Sequence, residues 1–314
     1  MYFLILLASI GLATEVCKNS GQVIENTKDL TGKLICRDEN EKLTREENYT
    51  EGKQIGIAKK YYESGKVKEA YFTNDEGKKT TFISFDENGK MTSLKCARES
   101  VVPQDREYCG YNGKISETSL YSGDKVIEKV THFKGEPKIR IKYFDDGTVA
   151  SEEKYNGKKS TIKTYFQGGK LKSQSGTDNE VTDGKEIEYF ENGNKAREAV
   201  WAKGKELRRT TFFTNGKRQK VINFKNESGK FFATVEEFFD KGTIRSSGKF
   251  LLKTITAWWA PDEGKKFDMV PVGLHKIFYE KGKLNFETNY DNKGTTIHHK
   301  EYDILGKVVK DEKK

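Results

Sequence analysis

Apolar residues are scarce in this chain: of its 314 residues, 34% are hydrophobic and 33% are charged. That balance leaves too little to fill one large spherical core. Only the run Tyr2 to Ala13 is strongly apolar, and it is too short to span a bilayer, so no transmembrane segment is expected once it is removed. Sustained 3.6-residue periodicity is missing, as is a capping box ahead of an apolar run, which excludes a helix bundle. The signatures HExxH and GxSxG and the Walker-type phosphate loop do not occur. Nor does CxxC, so zinc and redox chemistry have no support. The sequence therefore assigns no catalytic residue, no metal site and no cofactor.

What the chain does have is aromatic residues and turns. Tyr and Phe number 15 and 19 and supply much of the apolar surface, with Lys, Glu, Asn and Thr between them. Thin sheets with a wet face have that composition. Disorder, the default for so polar a chain, is opposed by the regular spacing of aromatics and turn signals. The formal net charge is +9, but Lys and Glu are interspersed. The surface is read as soluble, with weak attraction to anionic surfaces and no nucleic acid as partner.

The stretch Glu186 to Phe212 shows the unit: a strand ending in Tyr189-Phe190, a turn at Asn192-Gly193, a strand to Trp201, a second turn around Gly204, and a third strand. Asn-Gly between alternating runs predicts a two-residue hairpin turn with positive φ at both positions. The same phrase recurs at Tyr61 to Val67, Tyr143 to Val149, Tyr165 to Leu171, Phe238 to Ile244 and Phe278 to Leu284, with weaker copies at Phe85 to Met91 and Tyr302 to Val308. Turn glycines within unbroken runs recur at a period of about 24 residues, and further turns at Gly77, Gly157, Gly204, Gly229 and Gly294 lie between them. Each repeat is thus a hairpin plus a connecting turn, with strands of roughly six residues. The expected fold is all-β, an elongated antiparallel meander of repeated hairpins, about twenty strands in all. Across a two-residue turn Phe166 would face Leu171 and Tyr62 would face Val67; in a type I turn with a glycine bulge the first aromatic takes that place.

The run Tyr2 to Ala13 has the length of a signal-peptide core and ends in small residues, which points to export with cleavage near Ala13, although no basic residue precedes it. Thr14-Glu15-Val16 ahead of Cys17 does not form a lipobox. Four cysteines remain, Cys17, Cys36, Cys96 and Cys109, an even count that reads as disulfides in an exported chain. Neighbours in sequence would pair, and two other connectivities stay open. All four lie in the first third, where they would staple the open edge of the stack. The expected organisation is a signal peptide over 1–13, a cysteine-containing cap over 14–54, hairpin repeats over 55–310 with an insert at about 250–273, and a charged tail over 311–314.

From Ile55 to Lys310 the phrase Y-x-x-N-G-K-L with its period in the low twenties resembles the MORN repeat variant of bacterial proteins, a group often catalogued as antitoxin components. The resemblance implies an open β-meander used for binding. The chain departs from the pattern at Asp86 and Lys195, and the repeats blur between Tyr121 and Lys142. A signal peptide fits poorly with neutralising a cytoplasmic toxin but is compatible with an exported immunity or envelope protein.

Among candidate sites, His299, Glu301 and Asp303 would share a strand face and could ligate a divalent metal, but a flat strand offers no enclosed geometry and a polar outer face explains them. Glu152-Glu153, Glu236-Glu237 and Asp145-Asp146 are paired acids without an apolar cleft. Lysines after turn glycines suggest a phosphate-binding array or ordinary exposed turn residues, of which the second is favoured. Asn48-Tyr49-Thr50 matches a glycosylation acceptor. The rhythm breaks once, between Gly242 and Gly282, where the insert carries Trp258, Trp259 and Phe267. These aromatics are expected either to anchor a partner or to fold back over the sheet. The expected function is an exported, non-catalytic scaffold binding a partner, most simply a protein, in the periplasm, at the outer surface or outside a bacterial cell. The alternative is a carbohydrate- or peptidoglycan-binding or -active module.

Overall fold

Two kinds of turn, alternating from β12 (Glu136–Tyr143) to β22 (Ile244–Leu252) and running in blocks of one kind elsewhere, generate the fold. The computed structural model describes residues 15–103, 105–253 and 269–314, so the apolar run at 1–13 and Trp258, Trp259 and Phe267 lie outside the described residues. It is almost wholly β, 62% strand and 1% helix, in antiparallel hairpin meanders. The chain divides into two units, one ending at Gly147 and one starting at Thr148.

In the first unit the strands are β1 (Val16–Asn19), β2 (Gln22–Val23), β3 (Gly32–Arg37), β4 (Leu43–Thr50), β5 (Lys53–Gln54) and β6 (Gly56–Tyr61). They continue with β7 (Val67–Thr73), β8 (Lys79–Phe85) and β9 (Met91–Lys95), then the one-turn helix α1 (Asp105–Tyr108). Last come β10 (Ser116–Ser122), β11 (Lys125–Phe133) and β12 (Glu136–Tyr143). Spatial order is β2-β1-β3-β4-β6-β7-β8-β9, with β5 on β4; β10, β11 and β12 pair in sequence. The region where the sequence repeats blur is therefore as regular as the rest; its hairpins simply use two-residue turns.

The second unit holds β13 (Val149–Asn156), β14 (Lys159–Tyr165), β15 (Leu171–Asp178), β16 (Val181–Thr182), β17 (Gly184–Tyr189), β18 (Lys195–Ala202) and β19 (Lys205–Phe212). It ends with β20 (Arg218–Glu227), β21 (Lys230–Phe238), β22 (Ile244–Leu252), β23 (Met269–Phe278), β24 (Leu284–Tyr290), β25 (Thr296–Tyr302) and β26 (Val308–Lys313). These follow one another in sequence order, β15 pairing with both β16 and β17.

The turn expected at Asn192-Gly193 is not the two-residue type. Phe190 N–H donates to Asn194 O at 2.8 Å, Gly193 N–H donates to Phe190 O at 2.9 Å, and only Gly193 has positive φ, +87°. That is a type I turn closed by a glycine bulge, and it shifts the register so that the first aromatic faces across: Tyr61 with Val67, Tyr165 with Leu171, Phe278 with Leu284. The two-residue form belongs to connecting turns such as Lys203-Gly204 and Ser228-Gly229, where both residues have positive φ.

Turn residues also link consecutive repeats. Lys66 Nζ donates to Glu87 O at 3.0 Å, Lys170 Nζ to Glu191 O at 3.0 Å and Lys217 Nζ to Lys241 O at 2.9 Å. Asn192 and Asn194 both donate to Thr214 O at 2.8 Å, and Thr243 Oγ1 donates to Glu280 O at 2.9 Å. Tyr62 and Tyr279, second aromatics of their phrases, donate to Phe85 O and Tyr302 O. Lys66, Lys170 and Lys217 are therefore straps onto the next hairpin.

The disulfides join Cys17 to Cys36 and Cys96 to Cys109. The first links directly paired positions of β1 and β3. The second does not close the N-terminal edge: it secures the loop between β9 and β10, whose Val102 and Tyr108 pack with Ile83, Met91 and Leu120. Within that loop the buried Asp105 accepts hydrogen bonds from Ser100 Oγ and from the backbone of Val101 and Val102. Asn48 spends its amide on Ile57 O at 2.6 Å, which leaves the acceptor sequence unsuited to glycosylation once folded.

Glycine sites separate strain from crowding. Around Gly193 a Cβ would meet nothing within 4 Å, so Gly193→Val should cost about 1–2 kcal/mol of backbone strain, read from denaturant unfolding. At Gly248 a Cβ would lie 2.3 Å from His275 Nδ1, and Gly248→Ala should lower stability further despite ordinary φ.

His132 of β11 is 4% exposed, and burial, helped by the nearby Arg140, lowers its pKa from 6.5 to about 4. Arg140 in turn pairs with Glu128 at 3.0 Å. Since the neutral ring is the folded form, its contribution is complete above about pH 6.5 and lost as pH falls to 4. Acidification across that window should remove about 3 kcal/mol, and denaturant titrations of His132→Leu should show that pH dependence flattened.

Candidate functional site

Alternation along paired strands places two rows of side chains on one face of the second unit. The first row runs Glu188, Arg197, Thr211, Lys220, Glu237, Ser246, one per strand from β17 to β22. The row beside it runs Glu186, Ala199, Arg209, Ile222, Val235, Gly248. The face is charged at its β17 to β19 end and apolar toward β22 and β23.

At the charged end Glu206 is fully buried, and Arg209 grips it with two bonds, Nε to Oε1 at 2.8 Å and Nη2 to Oε2 at 2.7 Å. Arg197 stands 4.0 Å from the same carboxylate, 2.9 Å from Glu186 and 3.2 Å from Glu188. Trp201 Nε1 donates to Glu186 Oε2 at 2.8 Å, so the indole is fixed within the network. A fork of two guanidinium bonds is the geometry that makes a buried carboxylate tolerable.

Four strands on, the face dips into a cavity of about 250 Å³ lined by Val235, Glu237, Ser246, Phe250, Phe286 and Tyr290, among others. A bulge makes it: β23 carries extra residues opposite β22 between Ser247 and Lys249, and the His275 ring lies over Gly248, where a side chain would otherwise stand. His275 is held edge-on by Phe250 at 4.8 Å and by Tyr290 at 5.0 Å, with Nε2 at 2.7 Å from Lys249 O, so this nitrogen carries the proton. At the rim Lys220 Nζ pairs with Glu237 Oε1 at 3.1 Å, and Ser246 Oγ donates to Oε2 at 3.2 Å. Burial alone would raise the Glu237 pKa, but the bonds from Lys220 and Ser246 outweigh it and hold the carboxyl below its ordinary range.

The other sequence candidates are dispersed. His299 bonds to Thr288 Oγ1 at 2.8 Å and Glu301 at 3.1 Å, whereas Asp303 turns away to cap its own turn through Leu305 N–H and Lys307 N–H. Those three residues do not converge on a metal. Among the described residues the one group at ligand spacing is Glu15, Cys17 and Cys36, whose sulfurs are already bonded to each other. Glu236 and Glu237 point to opposite faces, as adjacent strand residues must, and Asp145-Asp146 lies in a turn. Sequence reading weighed Glu237 only as half of an acid pair and singled out none of Glu206, Arg209 and His275; bulges between Val200 and Trp201 and at Gly248 move Glu206 and His275 out of simple alternation. Replacing Arg209 by Met should leave Glu206 buried without its main partner and lower stability by about 3–5 kcal/mol, measurable by urea unfolding.

No curated protein matches the chain in sequence. Crystal structures of TcdB2-TccC3-Cdc42 and of TcdB2-TccC3 without its hypervariable C-terminal region are matched at 10% and 12% identity over 93% and 90% of this chain, with a TM-score of 0.16 for each. The chain spans only 18% and 17% of those two chains, and so low a score carries no argument. The model of the MORN repeat variant matches residues 54–75, 182–202 and 271–292, three segments that each contain one bulged hairpin of the structure: β6–β7, β17–β18 and β23–β24.

Proposed function

We propose that this protein is an exported, non-catalytic repeat scaffold that binds a protein partner, in the periplasm, at the outer surface or outside a bacterial cell. The observation that carries the reading is the face just described: strands paired side by side from β17 to β22 leave half-buried charges and aromatic rings spread over a broad surface. Two disulfides and the apolar run at 1–13 are compatible with export. A lowered pKa makes Glu237 a poor proton donor, which favours binding over hydrolysis at the cavity. An immunity-like role fits the same scaffold.

Within this reading Trp258, Trp259 and Phe267 are the proposed anchors, since the segment holding them interrupts the repeat spacing and brings two of the three tryptophans. Affinity capture from envelope extract should recover a partner with the parent chain and lose it with the Trp258→Ala, Trp259→Ala double variant at nearly unchanged melting temperature. A drop in melting temperature corresponding to several kcal/mol would assign the tryptophans to covering the sheet instead, since buried Trp to Ala costs about 3–5 kcal/mol each.

A further inference from the structure

The cavity between β21 and β24 has a lining that a protein-binding sheet does not require. Its lining includes the apolar side chains of Val235 and Ile277 and the rings of Phe250, Phe286 and Tyr290. Its rim places an ammonium and a hydroxyl, those of Lys220 and Ser246, at 3.1 and 3.2 Å from the two oxygens of the Glu237 carboxylate. Lys220 and Glu237 cancel in charge, and His275 commits its Nε2 proton to Lys249 O. Lys276, also at the cavity, alternates with Ile277 and so stands on the opposite face, paired with Ser247 and Glu287.

A ligand for such a place carries no net charge, offers hydroxyls that both donate and accept, and presents a flat C–H surface to aromatic rings. From this geometry we infer that the cavity binds one uncharged sugar ring of a glycan. Size agrees: about 250 Å³ is below the roughly 300–1,000 Å³ of drug-sized pockets, room for one ring and not for an oligosaccharide. The ring's C–H face rests on Phe286, the aromatic in the same row as Glu237 and Ser246, while its hydroxyls donate to Glu237 and accept from Lys220. Phe250 and His275 are themselves packed edge to face, so the aromatic platform is set before the ligand arrives. Rigid rings with a fixed carboxylate at the rim are what a weak, selective sugar site needs. This site goes beyond the scaffold reading and does not depend on it.

The test uses the full chain with three neutral trisaccharides, maltotriose, cellotriose and triacetylchitotriose, titrated to about 10 mM, where dissociation constants in the millimolar range are visible. At least one should bind saturably, with saturation transferred from protein aromatic protons to sugar C–H protons. Glu237→Gln should weaken it about tenfold, and Ser246→Ala should weaken it in the same direction. Glu236→Gln, one residue away on the opposite face, should leave it unchanged. No binding by any of the three overturns the inference, as does equal binding by the parent and Glu237→Gln. So does loss of sugar binding in Glu236→Gln, or a protein partner that occupies the cavity in a chain showing no sugar response.

Discussion

The hydrogen bond that bulged turns such as those at Gly65, Gly169, Gly193, Gly216 and Gly242 send to the next hairpin is the interaction on which the repeat depends. A sheet one residue deep buries little: apart from small clusters such as Ala233, Val235 and Leu252, most side chains remain partly exposed. Without a thick core, alignment of successive hairpins has to come from the backbone ladder and from contacts that recognise the neighbouring turn. Lys66, Lys170 and Lys217 provide that contact, each reaching a carbonyl one repeat along. Individually such exposed bonds contribute about 0.5–1.5 kcal/mol, so the fold draws its stability from their recurrence and from cross-strand pairs.

The strap also explains how the chain absorbs its longest irregularity. Thr243, in the turn between β21 and β22, donates to Glu280 in the turn between β23 and β24, a step of 37 residues where other straps step 20 to 25. The residues between β22 and β23 thus lengthen the sequence spacing without lengthening the spatial one: the two turns remain neighbours, and β22 and β23 remain paired. A period read from sequence counts residues, whereas the lattice counts strands.

The hairpin architecture was legible because turn glycines and paired aromatics are local signals. Turn type was less so, since Asn-Gly fits a two-residue loop and the first turn of a bulged one equally well in composition. In the bulged form Asn192 and Asn194 both donate to Thr214 O. The Tyr121 to Lys142 region looked irregular in sequence because two-residue turns at Gly123 and Gly135 lack the aromatic phrase, yet its strands pair throughout. Gly135 is required there for a second reason, since a Cβ would lie 2.0 Å from Ala97 O in the disulfide-bonded loop. No sequence pattern announces that contact, because it joins segments far apart in the chain.

The candidate site was the least legible part, and the reason is physical. Strand alternation assigns a face to each residue only while the register is unbroken, and both features of the site follow a break. Beyond the bulge at Trp201, Glu206 falls on the same face as Arg197 and Arg209, and a carboxylate that alternation would leave in water becomes fully buried. The bulge at Gly248 lets His275 fold over the strand, and the space beside the ring becomes the cavity. A perfectly regular stack would present the same shallow surface at every repeat and could not distinguish one partner from another. Bulges are where such a sheet acquires individual chemistry, and the breaks at Trp201 and Gly248 coincide with the ion network and the cavity of the second unit.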